Sequence, residues 1–390
     1  MRILIISQHF FPDNFRINDI ASELVNRGHD VTVITSLPDY ANGYVPEEYK
    51  EKFVDEYNGV KVFRIKVHER RSGIKNRALN YFSFLRNSTK FIKKNIVDFD
   101  IIFSYQTSPV MMAHAAVKAK KKLKKKLVLY CLDLWPESLK AWGVKESNPL
   151  FKIMHKYSKW VYKNVDTLAV SSYSFIKYLT ETNNVDKSKL IYLPQHCTPI
   201  FLEKKHTNKP VFAFGGNIGS VQDIPCIIKA CNEIKDLDFE VRIYGDGSEF
   251  NNCVKLTENM KLSNKVKFFG RVSHKDLISA YSDADAFLLT LSSIGEISNT
   301  VPAKLQEYMS AARPIFAAAG TGVKEIISKS GCGRSANSGD YKALSGFMKE
   351  FITQPEKFSN CGQAGYDYYI NNFTLDVFIE RLLKIFNNNL

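Results

Sequence analysis

Patterns of short apolar strands and amphipathic helices alternate along nearly the whole chain, and this alternation limits the folds that the chain can adopt. The first strand pattern covers Arg2 to Ser7, a helical period follows at Asn18 to Arg27, and a second strand pattern covers Asp30 to Thr35. Two strands joined by a helix predict parallel pairing, because the helix returns the chain to the same end of the sheet. The same alternation continues through residues 60–67, 79–94, 101–104, 109–122, 126–132, 150–164 and 167–171.

A second alternating series begins after a segment that contains Pro194, Pro199 and Pro210, which is typical of a connection between domains. Its strand patterns lie at 211–215, 239–244, 266–269, 286–290 and 314–318, and its helix patterns at 224–234, 249–260, 274–282, 303–311 and 322–329. The 390 residues exceed the usual size of one domain, so the two series predict two doubly wound α/β domains. Ligands bind outside the carboxyl ends of strands in such sheets, and we expect two facing domains with the site in a central cleft.

The net charge of +14 falls entirely within residues 1–205. This asymmetry predicts that the first domain meets an anionic partner. Residues 118–126 hold seven lysines in nine positions, and the helix pattern at 79–94 adds the aromatic residues Tyr81, Phe82, Phe84 and Phe91. A solvated helix end is the usual explanation for a lysine run, but basic and aromatic side chains together are typical of a surface that rests on anionic lipid.

The sequence indicates neither a membrane span nor a metal site. No apolar run approaches the roughly 18 to 20 residues that cross a bilayer, and the apolar start leads directly into a strand, so we expect a cytoplasmic protein. The seven cysteines include no Cys-x-x-Cys pair and are predicted to be reduced. The eight histidines lack zinc spacing, and Asp283-Ala-Asp285 lies where acids cap helices, so no metal is predicted. The segment Gly245-Asp-Gly247 is not a dinucleotide-binding fingerprint and predicts a tight turn.

The most specific local signal is the segment NTVPAKLQEYMSAARP at 299–314. A turn with Pro302 leads into a helix whose first backbone N–H groups have no partner within the helix and can bind a diphosphate, with Lys304 beside them. Glu307 lies further along the same helix, where its carboxylate can accept hydrogen bonds from two ribose hydroxyls. The segment therefore predicts a site for a nucleotide diphosphate.

Several motifs in a fixed order give the chain a family resemblance. They run from MRILIISQHFFPD and LVNRGHDVTVIT through YCLDLWPESL and FAFGGNIGSVQD to IYGDGSE, FFGRV and YSDADAFLL. With these motifs, nearly the whole chain resembles the retaining family 4 glycosyltransferases of the GT-B fold, in particular the bacterial branch that builds O-antigen and capsular polysaccharide. The resemblance implies a Rossmann-like acceptor domain at 1–198, a Rossmann-like nucleotide-sugar donor domain at 199–365, and a helical segment at 366–390 that crosses back to the first domain. It also implies retention at the anomeric carbon without a metal or other cofactor.

The donor motif of this family is altered here at two points. The family has two glutamates separated by seven residues; Glu307 matches the second, whereas Asn299 stands at the first position and Glu296 is out of register. The family also holds the diphosphate with a basic pair early in the second domain, where this chain has Asn217 and Gln222. Other cationic or N–H groups must then meet the phosphate charge. The predicted donor-site residues are Arg16, Asn217, Gln222, Arg271, Asn299, Thr300, Val301, Lys304 and Glu307. A surface ion pair remains the alternative for Arg16.

Asp133 and Glu137 are the candidates for chemistry on the acceptor. Asp133 directly follows an apolar strand, and the resemblance places the segment CLDLWPES on the acceptor side. We expect Asp133, or Glu137 four residues later, to orient or deprotonate the acceptor hydroxyl. Asp133 can also cap the helix that Pro136 opens, and the two roles are compatible.

The main functional prediction is transfer of a sugar from a nucleotide-diphosphate donor, a UDP-sugar, to a lipid-diphosphate-linked saccharide at the inner face of the cell membrane. The basic first domain would rest on the anionic membrane surface. The first alternative is a sugar-nucleotide epimerase of the same architecture, which would isomerise the donor without an acceptor. The second is a non-catalytic basic module that binds nucleic acid through the lysine run, with salt-sensitive affinity. The motifs favour the transferase, for which no nucleic-acid partner is expected.

Overall fold

The computed structural model describes residues 1–203, 207–293 and 300–390, apart from the side chains of residues 141 and 142. The chain divides into two compact units. The first unit consists of Met1–Pro194 with Leu375–Leu390, and the second of Gln195–Thr374. Each unit is organised around its own sheet, which is parallel apart from one edge strand in the first unit.

The first unit contains the strands β1 (Arg2–Ile6), β2 (Asp30–Ser36), β3 (Val54–Tyr57), β4 (Val60–Ile65), β5 (Ile101–Gln106), β6 (Leu127–Cys131), β7 (Thr167–Val170) and β8 (Leu190–Tyr192). In the described residues their order in the sheet is β3-β4-β2-β1-β5-β6-β7-β8. Neighbouring strands pair in parallel, except that β3 and β4 pair antiparallel. The carboxyl ends of β2, β1, β5 and β6 therefore lie side by side.

The helices that follow these strands are α1 (Ile17–Asn26), α2 (Ile74–Asn95), α3 (His114–Leu123), α4 (Pro149–Lys163) and α5 (Tyr173–Glu181). Asn148 starts α4, because its side chain accepts a hydrogen bond from the Leu150 amide at 2.9 Å and Pro149 occupies the first turn. Alternate residues of β1 pack into different apolar clusters: Leu4 lies in one cluster and Ile3 in the other. Both faces of the sheet are therefore covered, as a parallel sheet requires.

The second unit contains the strands β9 (Val211–Gly215), β10 (Glu240–Tyr244), β11 (Val266–Gly270), β12 (Ala286–Thr290), β13 (Ile315–Ala318) and β14 (Gly333–Ala336). Their order is β11-β10-β9-β12-β13-β14 within the described part of the chain, and all neighbours pair in parallel. The helices are α6 (Ile224–Glu233), α7 (Phe250–Asn259), α8 (His274–Tyr281), α9 (Ala303–Ser310), α10 (Thr321–Ser330), α11 (Tyr341–Thr353) and α12 (Cys361–Asn372).

The last helix, α13 (Leu375–Asn387), packs in the first unit. Its buried residues Phe378 and Leu382 join the apolar cluster that contains Ile3. An ion pair of 2.7 Å between Arg27 and Asp376 links the end of α1 to the start of α13. The resemblance had implied a return to the first domain from residue 366, whereas the change of unit falls between Thr374 and Leu375.

The structure confirms the prediction of two α/β domains with parallel, Rossmann-like sheets. Several elements lay outside the predicted series: the strands β3, β8 and β14, and the helices α5 and α11. The helices α12 and α13 overlap the helical segment that the resemblance implies at 366–390. The helix predicted at 109–122 is instead a short 3-10 turn at Val110–Ala113 followed by α3. None of the described helices has the length and apolar content that crossing a membrane requires.

Candidate functional site

A cavity of about 440 Å³ lies at the carboxyl ends of the adjacent strands β9, β10 and β11 of the second unit. This volume is within the range of about 300 to 1,000 Å³ found for small-molecule sites. The lining residues are Gly216, Asn217, Tyr244, Gly245, Asp246, Gly247, Arg271, Val272 and Leu277. The carboxyl end of a parallel sheet is where such folds bind ligands, so this cavity is the candidate binding site of the unit.

Two glycines let backbone segments meet in the cavity wall. A Cβ atom on Gly245 would lie 1.8 Å from the carbonyl oxygen of Gly216, and one on Gly247 would lie 2.5 Å from the carbonyl oxygen of Ile218. Both glycines have positive φ angles, +135° and +159°, which other residues rarely adopt. The segment predicted as a tight turn therefore forms the wall of the cavity.

We expect Gly245→Ala to destabilise the protein by about 2 kcal/mol or more, because its Cβ would overlap the Gly216 carbonyl and strain the backbone. For a unit of this size each kcal/mol lowers the thermal midpoint by about 2 to 4 °C. Gly339→Ala is the matched control, because Gly339 also has a positive φ (+76°) but no atom within 4 Å of the added Cβ. Thermal unfolding of the two variants compares them directly; equal losses would show that contact with Gly216 is unimportant.

Helix α9 positions a lysine beside this wall. Tyr308 on α9 is fully buried and its hydroxyl accepts a hydrogen bond of 2.9 Å from the Gly215 amide at the end of β9. This contact ties α9 to the end of β9, directly before Gly216. A Cβ atom on Gly216 would lie 3.0 Å from Nζ of Lys304 and would crowd the amine, so the glycine lets the amine lie close to the wall.

The Lys304 amine is shielded from solvent and has no hydrogen-bond partner among the described residues. It lies 3.8 Å from the centre of the Phe214 ring. Burial lowers the pKa of Lys304 to about 7, while the carboxylate of Glu307, one turn later on α9, acts in the opposite direction. A buried amine with an apolar ring below it and no bonded anion lacks the partner that buried charges have in folded proteins, so the site is suited to an anionic ligand.

In the first unit, Asp133 lies directly beyond the carboxyl end of β6. Its Oδ2 atom accepts a hydrogen bond of 3.1 Å from Nε1 of Trp135, and its Oδ1 atom accepts one from the hydroxyl of Ser138. Burial raises the pKa of Asp133, and the hydrogen bonds from Ser138, Ser108 and Trp135 counteract the rise. A carboxylate with a raised pKa is a better proton acceptor than an exposed one.

Buried polar side chains form a row with Asp133 along the ends of β2, β1 and β5. These are Gln8, His9, Asp39 and Gln106, each at most 2% exposed. In the described part of the chain, one side-chain atom of each residue has no hydrogen-bond partner. These atoms are Oε1 of Gln8, Nδ1 of His9, Oδ1 of Asp39 and Oε1 of Gln106. Gln106 connects the row to Asp133, because its Nε2 donates to the Asp133 carbonyl oxygen at 2.9 Å. Buried polar atoms are normally paired, so this row indicates a site for a polar ligand.

Arg70 adds positive charge to the row. Its guanidinium packs over the rings of Tyr40 and Tyr81, and Nη1 lies 3.5 Å from Nε2 of His9. Burial, with a contribution from Arg70, lowers the pKa of His9 to about 3, so His9 is neutral. Burial also raises the pKa of Asp39 to about 6. The row thus combines the Arg70 cation with the neutral His9 ring and with an aspartate, Asp39, that takes up a proton more readily than usual.

Comparison with known proteins assigns both units. Residues 15–195 match the family model described as Glycosyltransferase Family 4, and residues 200–368 match the model described as Glycosyl transferases group 1. The chain carries both domains of a GT-B glycosyltransferase. Among curated proteins it is 25% identical over 266 residues to the probable glycosyltransferase WbjE of Pseudomonas aeruginosa, an alignment that spans 64% of this chain and 66% of WbjE, slightly under two thirds of its length.

Solved structures of glycosyltransferases share the fold over the full chain. The sucrose-phosphate synthase of Thermosynechococcus elongatus aligns with a TM-score of 0.77 at 14% identity, covering 99% of this chain and 98% of the synthase. HepE of Anabaena, solved with UDP, aligns with a TM-score of 0.73 at 13% identity and covers 100% of both chains. The lipopolysaccharide outer core galactosyltransferase WaaB aligns with a TM-score of 0.69 at 16% identity, also over 100% of both chains.

The predicted donor residues of this glycosyltransferase occupy different positions. Asn217 and Arg271 line the cavity of the second unit. Gln222 supports that wall, because its Oε1 accepts hydrogen bonds from Nδ2 of Asn217 at 3.1 Å and from the Gly219 amide at 3.3 Å. Lys304 reaches the wall at Gly216, as described above.

The remaining donor predictions stay predictions. Thr300 and Val301 precede α9, and Val301 packs on the apolar cluster of the second unit. Asn299, with Glu296, lies outside the described residues. Arg16 belongs to the first unit, where it occupies the position before α1.

The two candidate acceptor residues of the glycosyltransferase have different surroundings. Glu137 is 4% exposed; its Oε1 accepts a hydrogen bond from the Tyr178 hydroxyl at 2.9 Å and its Oε2 pairs with Lys140 at 2.6 Å. Asp133 instead adjoins the row of polar atoms that lack hydrogen-bond partners among the residues that the structure describes. The arrangement favours Asp133 for chemistry and Glu137 for stabilising the segment.

The lysine run has mostly internal partners. Lys118 and Lys121 lie over the ring of Trp160. Lys120 and Lys126 form ion pairs with Asp166. Lys122 donates hydrogen bonds to carbonyl groups at the end of α2. Of the aromatic residues that were predicted to face lipid, Tyr81 and Phe84 are buried and Phe91 packs on the core, whereas Phe82 is 58% exposed.

No three His, Cys, Asp or Glu side chains within residues 1–203, 207–293 and 300–390 come together as metal ligands would.

Proposed function

We propose that this glycosyltransferase transfers a sugar from a UDP-sugar to a lipid-diphosphate-linked saccharide in the synthesis of a bacterial surface polysaccharide. The observation that carries the donor assignment is the buried Lys304 amine, which lies without a hydrogen-bond partner among the described residues beside Gly216 in the wall of the 440 Å³ cavity. The structures of HepE with UDP and with UDP-glucose support a UDP-sugar donor. WaaB and WaaG, which are described as enzymes of lipopolysaccharide synthesis, support the class of product.

In the proposed donor complex the second unit holds the nucleotide. The diphosphate lies at the turn from Thr300 to Lys304, with Asn217 and Arg271 in the adjoining wall, and the ribose hydroxyls donate to Glu307. Negative charge grows on the diphosphate as its bond to the anomeric carbon breaks. A lysine amine that is already fixed and desolvated stabilises this charge without rearrangement, which is the main electrostatic requirement of the reaction.

In the proposed acceptor complex the first unit holds the saccharide. Asp133 orients the attacking hydroxyl and accepts its proton as the new bond to the anomeric carbon forms. The unpaired atoms of Gln8, His9, Asp39 and Gln106 supply hydrogen bonds to the acceptor. The resemblance to retaining family 4 enzymes supports retention at the anomeric carbon, independence of a metal or other cofactor, and a place at the inner face of the cell membrane.

Donor binding by the Glu307→Ala variant tests this assignment. Hydrogen bonds to a charged group contribute about 1.5 to 3 kcal/mol, so we expect the dissociation constant for UDP, measured by calorimetry, to rise about 10- to 100-fold. Glu258→Ala is the control, because Glu258 is an exposed glutamate on α7 of the same unit. Unchanged UDP affinity in Glu307→Ala would remove Glu307 from the donor site.

An assay with donor alone separates this proposal from the epimerase alternative. Wild-type protein is incubated with UDP-sugars in the absence of any acceptor. The transferase is expected to return the donor unchanged apart from slow hydrolysis, whereas a new sugar isomer would identify an epimerase.

A further inference from the structure

An apolar groove of about 140 Å³ opens in the first unit between α2 and α4. Its lining includes Ile74, Tyr81, Phe82, Trp135, Leu150 and Met154. Arg77 is the one charged residue among the described residues that line it. The groove thus offers its occupant almost entirely hydrocarbon and aromatic surface.

The rim of the groove exposes large apolar side chains to solvent. Ile74 is 70% exposed, Phe82 58%, Leu150 50% and Ile153 64%. Ile74, Phe82 and Leu150 line the groove, and Ile153 follows Leu150 by three residues on α4, so it projects from the same side of that helix. Apolar patches that are contiguous with a groove mark binding surfaces more often than isolated apolar residues do.

The chemistry of the groove favours a hydrocarbon chain over a peptide. A peptide segment would bring backbone N–H and C=O groups that need partners, and this lining offers them little besides Arg77. The surrounding surface is basic, because Lys75, Lys145 and Lys152 are exposed next to lining residues. Apolar side chains surrounded by cations complement the acyl and headgroup layers of an anionic bilayer.

Trp135 connects the groove to the acceptor side of the unit. Its ring lines the groove, while its Nε1 donates to Oδ2 of Asp133 at 3.1 Å and to the hydroxyl of Ser108 at 2.8 Å. A lipid whose chain lies in the groove would therefore have its headgroup close to Asp133 and the row of unpaired polar atoms. The groove and the row suit the two halves of one amphiphilic molecule.

We propose that this groove binds the hydrocarbon chain of the lipid-linked acceptor while its exposed rim enters an anionic bilayer; this rests on the lipid-linked acceptor of the proposed function. The membrane contact then lies at α2 and α4. It does not depend on the lysine run at 118–126. In that run Lys124 and Lys125 are exposed, and the partners given above belong to its other lysines.

Vesicle sedimentation tests the rim. The Phe82→Ser/Ile153→Ser variant is expected to bind phosphatidylglycerol vesicles about 30-fold or more weakly than the wild type, because two large apolar side chains no longer leave water. The Val54→Ser/Val97→Ser variant is the control, since both valines are more than 60% exposed elsewhere on the unit. If the rim variant binds like the wild type, or if Lys124→Ser/Lys125→Ser is the variant that loses binding, the proposal is wrong.

Binding of farnesyl phosphate, a short isoprenoid phosphate, tests the groove itself. The wild type is expected to bind it saturably in calorimetry, and Ala78→Phe, which fills the groove from α2, should weaken this binding at least about tenfold. Inorganic phosphate should not compete, because the chain provides the affinity. Equal binding by Ala78→Phe with an unchanged thermal midpoint, or full competition by phosphate, would overturn the assignment.

UDP affinity separates this proposal from the donor assignment. Both the rim variant and Ala78→Phe should bind UDP as the wild type does, because the donor cavity lies in the other unit. Loss of lipid binding with normal UDP binding supports the groove. Sedimentation equilibrium provides a further check: a dimer that the rim variant abolishes would show that a second copy of the chain covers the groove, and the lipid proposal would fall.

Discussion

Replacing Lys304 with Met is expected to weaken UDP binding by at least about 30-fold while leaving the free protein as stable as before or more stable. Removing one partner of a buried, hydrogen-bonded charge pair costs about 2 to 5 kcal/mol, and about 1.4 kcal/mol corresponds to a factor of ten. Without donor, however, the Lys304 amine is buried and lacks a hydrogen-bond partner among the described residues. Methionine keeps the packing on Phe214 and removes an amine whose desolvation the Glu307 carboxylate offsets only in part.

The opposite signs of these two effects make the test specific. Calorimetry with UDP measures the first effect, and thermal unfolding without ligand measures the second. Lys349→Met is the control, because Lys349 is exposed on α11 of the same unit and should change neither quantity. A variant that loses stability together with affinity would point to a structural role, and a variant with unchanged affinity would exclude Lys304 from the donor site.

The same lysine makes donor affinity depend on pH. The pKa of Lys304 is about 7 in the free protein, and a bound diphosphate must raise it because the anion favours the charged amine. The contribution of the charged amine to UDP affinity is therefore complete below pH 7. UDP affinity falls as the pH rises from 7 towards the higher pKa of the complex, by up to about tenfold per pH unit. Glu307 already faces the amine from the same helix, and Phe214 below it is uncharged. Calorimetry in buffers of different ionisation enthalpy should detect proton uptake at about pH 8 in the wild type but not in Lys304→Met.

The sequence predicted most of the central strands because they are apolar on both faces. All residues of β5 and β9 are buried, and each strand is bounded by polar or turn-forming residues, which makes the pattern visible. The edge strand β3 has the sequence VDEY with half-exposed side chains, and it holds Arg64 of β4 through the carboxylate of Asp55 at 2.8 Å. Such a strand depends on a contact made by folding, so a hydrophobic pattern does not reveal it. The strand β14, GRSA, has a single buried residue and was missed for the same reason.

The candidate site could be predicted only where its residues lie close together in the sequence. The segment from Thr300 to Glu307 is one turn and one helix, so its chemistry can be read directly. The row of Gln8, Asp39 and Gln106 is formed because the sheet order places β2, β1 and β5 side by side, and no local pattern encodes that order. A polar residue directly after a buried strand, as Asp133 is, is the signal that the sequence offers for such a position.

Asp133→Asn is expected to lower turnover by about 100- to 10,000-fold, the range contributed by a positioned proton acceptor, with UDP affinity within about twofold of the wild type. The substitution should preserve the fold. The introduced side-chain amide can turn its oxygen towards Nε1 of Trp135 and donate its N–H to the Ser138 hydroxyl, which replaces both hydrogen bonds of the carboxylate. What the variant loses is the ability to take a proton.

The pH profile and a second variant distinguish this role from positioning alone. Because burial raises the pKa of Asp133, wild-type turnover should fall at acid pH at a value above the ordinary range of an aspartate, and Asp133→Asn should lack that fall. Glu137→Gln is the comparison: it breaks the partly buried ion pair with Lys140 and should lower the thermal midpoint, while the folded enzyme keeps turnover within a few-fold of the wild type. If Glu137→Gln instead abolished turnover and Asp133→Asn did not, Glu137 would be the proton acceptor. The contacts of Glu137 argue against that result, because its two carboxylate oxygens are already engaged by the Tyr178 hydroxyl and the Lys140 amine.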